Sequence, residues 1–324
     1  MNPRCVNPLP QWARRVRTLG MSYPFWPEPG IDAVGAPARP SRAGATSARM
    51  VLGTALSRLR TEAGLSAGEA SAVTGVPTPL ITGMELGRAT VRLWDVAGLY
   101  SAYGVSDLAE RTTLLGLAHR ANGSEWWHSY RDVIPAWFEH YLGLEQAASL
   151  IRCYAGQVIP ALLQTADYSR AAVAVTHADS SEANRKRRVE LSLRRQQILR
   201  GESPTRLWAV LDEAALRRSP GSVTAMRGQL GRLIELCELP HVTIAVLPFR
   251  AGAHPAIAGG PLVVLRLPDR ELPDVAYLEQ LGGSKYFQDP AYLDFFRHLL
   301  NQLALQATSA GPGERILKQI LAET

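Results

Sequence analysis

Carboxylates and arginines are the side chains of this sequence with the most chemistry to offer. Asp212 and Glu213 follow an apolar run at 207–211, and Glu279 follows another at 275–278. Carboxylates at the ends of strands could meet as a general acid/base pair; the plainer reading has them capping helices or pairing with cations. A helix expected over 182–200 carries Arg185, Lys186, Arg187, Arg188, Arg194, Arg195 and Arg200, with Glu190 among them. Helical geometry spreads these charges over more than one face. They suit a phosphate or an acidic partner, or else Arg188 and Arg195 pair with Glu213 or another carboxylate at the core edge.

The densest aromatic run joins Trp126, Trp127, His128 and Tyr130 to Trp137, Phe138, His140 and Tyr141. Such a run lines an apolar pocket with a few polar handles, or packs as ordinary core between helices. Candidate residues for a ligand or partner are therefore Trp126, Trp127, Arg188, Arg195, Glu213 and Glu279. The histidines at 119, 128, 140, 177, 241, 254 and 298 show no metal-ligand spacing. HExxH, Walker A and GxGxxG patterns are absent from the sequence. No catalytic residue, cofactor or metal is expected, and an enzyme is the less favoured class.

These residues need elements to position them. From Leu52 a helical face runs through Ala55, Leu56 and Leu59 and stops at Gly64. Ser66 N-caps a second helix ended by Gly75, and Thr78 with Pro79 opens a third, closed by Gly87. Two more helices, near 93–103 and 106–119, complete a bundle over residues 50–121. Helix, glycine turn, helix at this spacing is a helix-turn-helix signature, and its second helix would offer Thr78 and Thr82 to DNA, with Arg88 just beyond. Beyond 124 we expect helices at 134–141, 145–153, 161–176, 182–200 and 223–237. Strands are expected at 207–211, 242–247, 262–267 and 275–278, and closing helices at 292–306 and 316–321. The fold class is thus α+β, mostly α: a helix-turn-helix bundle, then a larger helical domain at 124–308 with a small β-sheet, and a C-terminal helix at 309–324.

Charge is unevenly placed. Residues 1–49 hold seven arginines against Glu28 and Asp32, so nearly all of the net +6 lies there. That arm also has eight prolines and no periodicity, which predicts disorder, and Met50 is an alternative start. Trp12, Tyr23, Phe25 and Trp26 within it could form a short docking segment. Residues 50–120 balance six basic against six acidic side chains, so the expected DNA reader is formally neutral. Three distant cysteines argue against a disulfide framework and fit a reducing cytoplasm. There is neither a membrane-length apolar run nor a secretory signal, so a cytoplasmic protein without membrane contact is expected.

The stretch Leu59-Arg60-Thr61-Glu62-Ala63-Gly64-Leu65-Ser66, then Gly75-Val76 and Glu85-Leu86-Gly87-Arg88, resembles the Xre-type helix-turn-helix domain. Further pieces resemble the C-terminal domain joined to such modules in large actinobacterial families of antitoxin-like regulators. They are Glu125-Trp126-Trp127, Tyr141-Leu142-Gly143-Leu144-Glu145, Val158 to Thr165, Arg195-Gln196, Leu211 to Arg217, Val246 to Phe249 and Tyr277-Leu278-Glu279, in order within 52–305. The resemblance implies binding to operator DNA as a homodimer, and often a small partner protein encoded nearby. The ligand or partner of that C-terminal domain is not established for the family. This chain departs from the family at Pro77, Pro79 and Gly83, where polar residues and an arginine are common, and at Ala67, often glutamine. The leading expectation is a DNA-binding transcriptional regulator controlled by a small partner protein or a small-molecule ligand. Two alternatives stay open: a repurposed enzyme or small-molecule binder with a vestigial helix-turn-helix, and an antitoxin acting only by sequestering its partner.

Overall fold

In the computed structural model, residues 44–257, 259–269 and 272–324 are described. The first helix, α1 (Ala45–Glu62), begins five residues before Met50. Ala45, Thr46 and Ala48 are buried, so the end of the expected arm belongs to the fold. The rest of that arm, with Trp12, Tyr23, Phe25 and Trp26, lies outside the described residues.

Local signals then set the bundle. Ser66 accepts from the Glu69 amide while Glu69 accepts from the Ser66 amide, a capping box that starts α2 (Ala67–Thr74). Gly75 closes it at φ 73°, a left-handed conformation that costs glycine nothing. The third helix, α3 (Thr78–Glu85), starts one residue earlier than expected. Pro77 takes the N-cap position, so Thr78 stands inside the helix without capping it. Helices α4 (Leu93–Ala102) and α5 (Leu108–Ala121) follow. Leu52, Leu56, Ile81, Met84, Val96, Leu99 and Leu114 fill one core between them.

The second region departs further from expectation. The helix expected at 145–153 is two elements: α6 (Ala136–Ala147) ends first, and strand β1 (Leu150–Ala155) follows. An apolar run of that length fits either element, and pairing on both edges decides for strand here. Next come α7 (Ala166–Thr176) and α8 (Glu182–Arg195), shorter than the spans 161–176 and 182–200 because 3-10 turns occupy Ala161–Leu163 and Gln196–Leu199. Strand β2 (Arg206–Asp212), α9 (Glu213–Arg217), α10 (Val223–Cys237) and β3 (Val242–Leu247) complete a parallel half. An antiparallel half contains β4 (Leu262–Arg266), β5 (Val275–Gln280) and β6 (Gly283–Phe287). The small sheet is therefore a six-stranded mixed sheet, ordered β3-β2-β1-β4-β5-β6. Of its strands, β6 carried no alternating signal; it forms because Gln280 pairs with Gly283 across a turn where Gly282 sits at φ 83°.

Strand alternation sorts the sheet into two faces. Ile151, Cys153, Leu207, Leu265, Val275 and Tyr277 point to the face covered by α6, α7 and α10. Tyr154, Val210, Leu262, Val264 and Ala276 point to the other, covered by α11 (Pro290–Ala310). The last helix, α12 (Gly313–Glu323), is no separate appendage: Ile316, Leu317 and Ile320 are buried in the same core as Val242 and Ile244. No helix among the described residues is long and apolar enough to cross a membrane.

The two regions are packed together. Met50 of α1 is buried in the core of the second region. The Thr46 amide donates to Glu125 Oε1 at 3.1 Å, and Gly143 of α6 lies so near Thr46 that a Cβ there would strike the hydroxyl.

Candidate functional site

A cavity of about 380 Å³ opens beside β1, in the volume range of small-molecule sites. The sheet topology explains its place. From β1 the chain crosses through α7 and α8 to β2 on one side, and later returns as β4 on the other. The cavity lies on the sheet face where β1 meets its antiparallel neighbour β4, beneath α6, α7 and the segment that leaves β1. Ile151 and Cys153 of β1, Val263 of β4 and Tyr277 of β5 form the floor, and the segment after β1 supplies Val158, Ile159 and Leu162.

A buried ion pair stands in the wall. Glu145 of α6, 2% exposed, accepts from Arg195 Nε and Nη2 of α8 at 2.8 and 2.7 Å, and from the Tyr141 hydroxyl at 2.9 Å. Burial alone would lower the Arg195 pKa; the Glu145 carboxylate more than offsets it and holds the group above its ordinary value. Burial and the same carboxylate raise Tyr141 well above the ordinary tyrosine value. Burial, with Glu145 adding to it, pushes the Cys153 thiol up to about 12, which leaves it a poor nucleophile. Glu279, exposed at the rim, accepts from the Tyr277 hydroxyl at 3.5 Å.

An aromatic stack leads out of the cavity. The Tyr141 and Tyr277 rings lie 4.3 Å apart, Tyr277 and Tyr286 of β6 lie 5.2 Å apart, and the Arg88 guanidinium sits 5.2 Å from the Tyr286 ring centre. Arg88 follows α3, so this file of side chains spans from the cavity wall to the helix-turn-helix. His140 packs against Tyr286 as well, its Nε2 buried without a hydrogen-bond partner.

The candidate residues divide. Arg195 and Glu279 both line the cavity. Trp127 is 1% exposed in a separate cluster with Val133, Leu142 and Leu191, and Trp126 packs on it beneath the Arg194 guanidinium; neither lines the cavity. Arg188 does not reach Glu213. Its Nε is buried without a hydrogen-bond partner, and burial lowers its pKa. Glu213 pairs instead with Arg217 at 2.6 Å and accepts from the Phe249 amide at 2.7 Å. Asp212 N-caps α9 through the Ala214 amide at 2.8 Å, and strand alternation places it on the sheet face opposite Glu279. The acid/base pair considered for these carboxylates is not assembled: Asp212 caps, Glu213 pairs, and Glu279 stands apart at the cavity rim.

On the helix-turn-helix, Thr78 and Thr82 are exposed on α3, beside exposed Pro77 and Pro79, while Ile81 and Met84 are buried. Thr82 donates to the Thr78 carbonyl at 3.1 Å. Glu85 is held by Arg60 at 2.6 and 2.8 Å, which ties α3 to α1. Arg58 pairs with Glu62 and Glu110. Arg88, Arg92 and Arg111 each lie over an aromatic ring, at 5.2, 5.6 and 5.2 Å. Most of the module's cations are thus engaged within the protein.

Sequence reasoning named Tyr141 only within an aromatic run that could line a pocket, and passed over Glu145, Cys153 and Tyr277 as site residues. One signal was available: Tyr141 and Glu145 share a helix face at i, i+4, and Tyr277 and Glu279 a strand face at i, i+2. Which partner each meets depends on contacts between residues 50 positions apart, such as Arg195 with Glu145.

A family model described as a helix-turn-helix domain matches residues 51–114. A second, described as a domain of unknown function, DUF5753, matches residues 138–319. No curated protein and no solved structure matches the chain. The second match covers the sheet, the cavity and the α6–α8 wall, and spans more than half of the chain: this protein belongs to the DUF5753 family and carries a helix-turn-helix domain ahead of that region.

Proposed function

We propose that this protein is a cytoplasmic, Xre-type DNA-binding transcriptional regulator of the antitoxin-like kind, working as a homodimer, in which the cavity of the C-terminal region senses a ligand. The observation that carries the reading is the exposed N-terminal turn of α3. The Thr78 and Thr82 side chains stand at the surface there, where a recognition helix meets base edges and phosphates. Arg88, bound to Tyr286 at the end of the aromatic file, supplies a joint through which the cavity could bias DNA contact. A ligand shifts that balance only through different affinities for the DNA-competent and incompetent forms.

The test is an electrophoretic shift on the upstream region of the protein's own gene, titrated with salt. Phosphate contacts make affinity fall linearly on a log–log salt plot. Binding that weakens in this way supports the reading, and no salt-sensitive binding at low ionic strength overturns it. A second reading, a small-molecule binder with a vestigial helix-turn-helix, draws on the engagement of Arg58, Arg60, Arg88, Arg92 and Arg111 within the protein. It predicts ligand binding with no DNA shift. A small protein copurifying in stoichiometric amount would place a partner, in addition to a ligand, on the C-terminal region.

A further inference from the structure

The charges around the cavity are unequal. Glu145 and Arg195 cancel, bound through two hydrogen bonds, and Arg195 also lies over the Phe138 and Tyr141 rings. Glu279 has no such partner: among the described residues it forms no ion pair, and its side-chain contact is the Tyr277 hydroxyl at 3.5 Å. Arg195 acts on Glu279 only through space, so the lining keeps one carboxylate at its rim without a bonded counter-charge and one negative charge in excess. Ile151, Ile159, Leu162, Val173 and Val263 supply an apolar wall deeper in.

Resting on the ligand-sensing reading above, we infer that the cavity takes a small organic cation, an amine whose ammonium pairs with Glu279 and whose apolar body lies against that wall. An anion meets the opposite situation. The single cation in the lining is already neutralised by Glu145, and an anionic group would enter past Glu279. A neutral ligand of the same shape gains the apolar wall but not the charge-assisted hydrogen bond, which is the stronger kind. At about 380 Å³ the cavity has room for a bicyclic aromatic body with a short chain.

Calorimetric titration of the full chain at neutral pH with tryptamine, tryptophol and indole-3-acetate tests this, since the three share a ring and differ in the charge of the chain end. Tryptamine should bind, with tryptophol about tenfold weaker or more and indole-3-acetate weaker still. Glu279→Gln should bring tryptamine to the tryptophol level and leave thermal unfolding unchanged, because Glu279 is exposed. Val173→Trp, which fills the cavity, should abolish binding of all three. Equal binding of tryptamine and tryptophol, preference for the acetate, no binding by any probe, or tryptamine binding unaffected by Glu279→Gln would each overturn the inference. DNA shifts run without amine keep the two ideas apart. Amine binding without a DNA shift overturns only the regulator, and a DNA shift without amine selectivity overturns only the amine site.

Discussion

Arg88 and Tyr286 are joined twice: the guanidinium lies 5.2 Å from the ring centre, and its Nη2 donates to the Tyr286 carbonyl at 3.3 Å. The arginine best placed to follow a recognition helix into a groove is thus held by the sheet of the other region, where burial lowers its pKa. Tyr286→Leu removes the ring and keeps an apolar side chain. The bond to the backbone carbonyl remains, and a cation–π contact is worth about 0.5–2 kcal/mol, so loosening Arg88 should tighten DNA binding by roughly two- to thirtyfold. One further phosphate contact should steepen the log–log salt slope by about 1, and Arg88→Ala in the same background should remove both effects. An unchanged slope in Tyr286→Leu would show that Arg88 does not reach DNA.

The buried pair in the cavity wall has its own signature. Glu145→Gln leaves Arg195 buried without its counter-charge, and breaking one side of such a pair costs about 3–5 kcal/mol. Urea unfolding should show that loss. Replacing both partners, Glu145→Leu with Arg195→Met, should recover most of it, because no unpaired charge then remains. Additive losses in the double variant would mean that the two side chains act separately.

The sequence exposed these features unequally. Capping and turn rules act within a few residues, so Ser66, Gly75 and Gly87 marked the helix-turn-helix without any knowledge of the rest. Strand β1 failed that test because Leu150 to Ala155 has the apolar content of a helix as much as of a strand, and only β2 and β4 on its two edges decide. Arg195 and Glu279 were singled out separately, yet their meeting around one cavity depends on the order in which β1, β4 and β5 lie side by side. Trp126 and Trp127 drew attention by aromatic density, which marks a packed cluster as readily as a pocket.

His140 sets a pH dependence at the junction of the two regions. Burial, reinforced by the positive charges of Arg88 and Arg49, pushes its pKa from 6.5 down to about 3. The ring stays neutral in the folded protein, while the unfolded chain takes up a proton below about 6.5. Stability contributed this way is complete above 6.5 and falls on acidification towards about 3, by at most ~1.4 kcal/mol per pH unit. Urea midpoints of the wild type and His140→Phe, compared between neutral pH and about pH 4.5, isolate this from the carboxylates, which titrate equally in both. The variant should lose part of the slope; parallel curves would mean that His140 is protonated without penalty.

Gly143 is a position where the two regions pack closely. A Cβ built there would fall on the Thr46 hydroxyl and within 2.7 Å of its methyl, with the backbone of α6 behind it and α1 in front. Both elements are held elsewhere, α1 by its bundle core and α6 by Glu145, so neither yields without disturbing buried contacts. Gly143→Ala should therefore cost roughly 1–3 kcal/mol, the range for overpacking a close-packed contact. Thr46→Gly removes the side chain that the new methyl would meet, so the double variant should regain the part of the loss that comes from the clash and retain only the cost of the new glycine in α1. Because Thr46 also accepts from Arg49 Nη2 at 2.7 Å, Thr46→Gly alone carries its own penalty and must be measured beside the pair. A double-mutant cycle closing with a large favourable interaction term would establish that α1 and α6 stay locked in solution. Strict additivity would mean that the helix-turn-helix is free to leave the sheet, and the file from Tyr141 to Arg88 would then lose its physical basis.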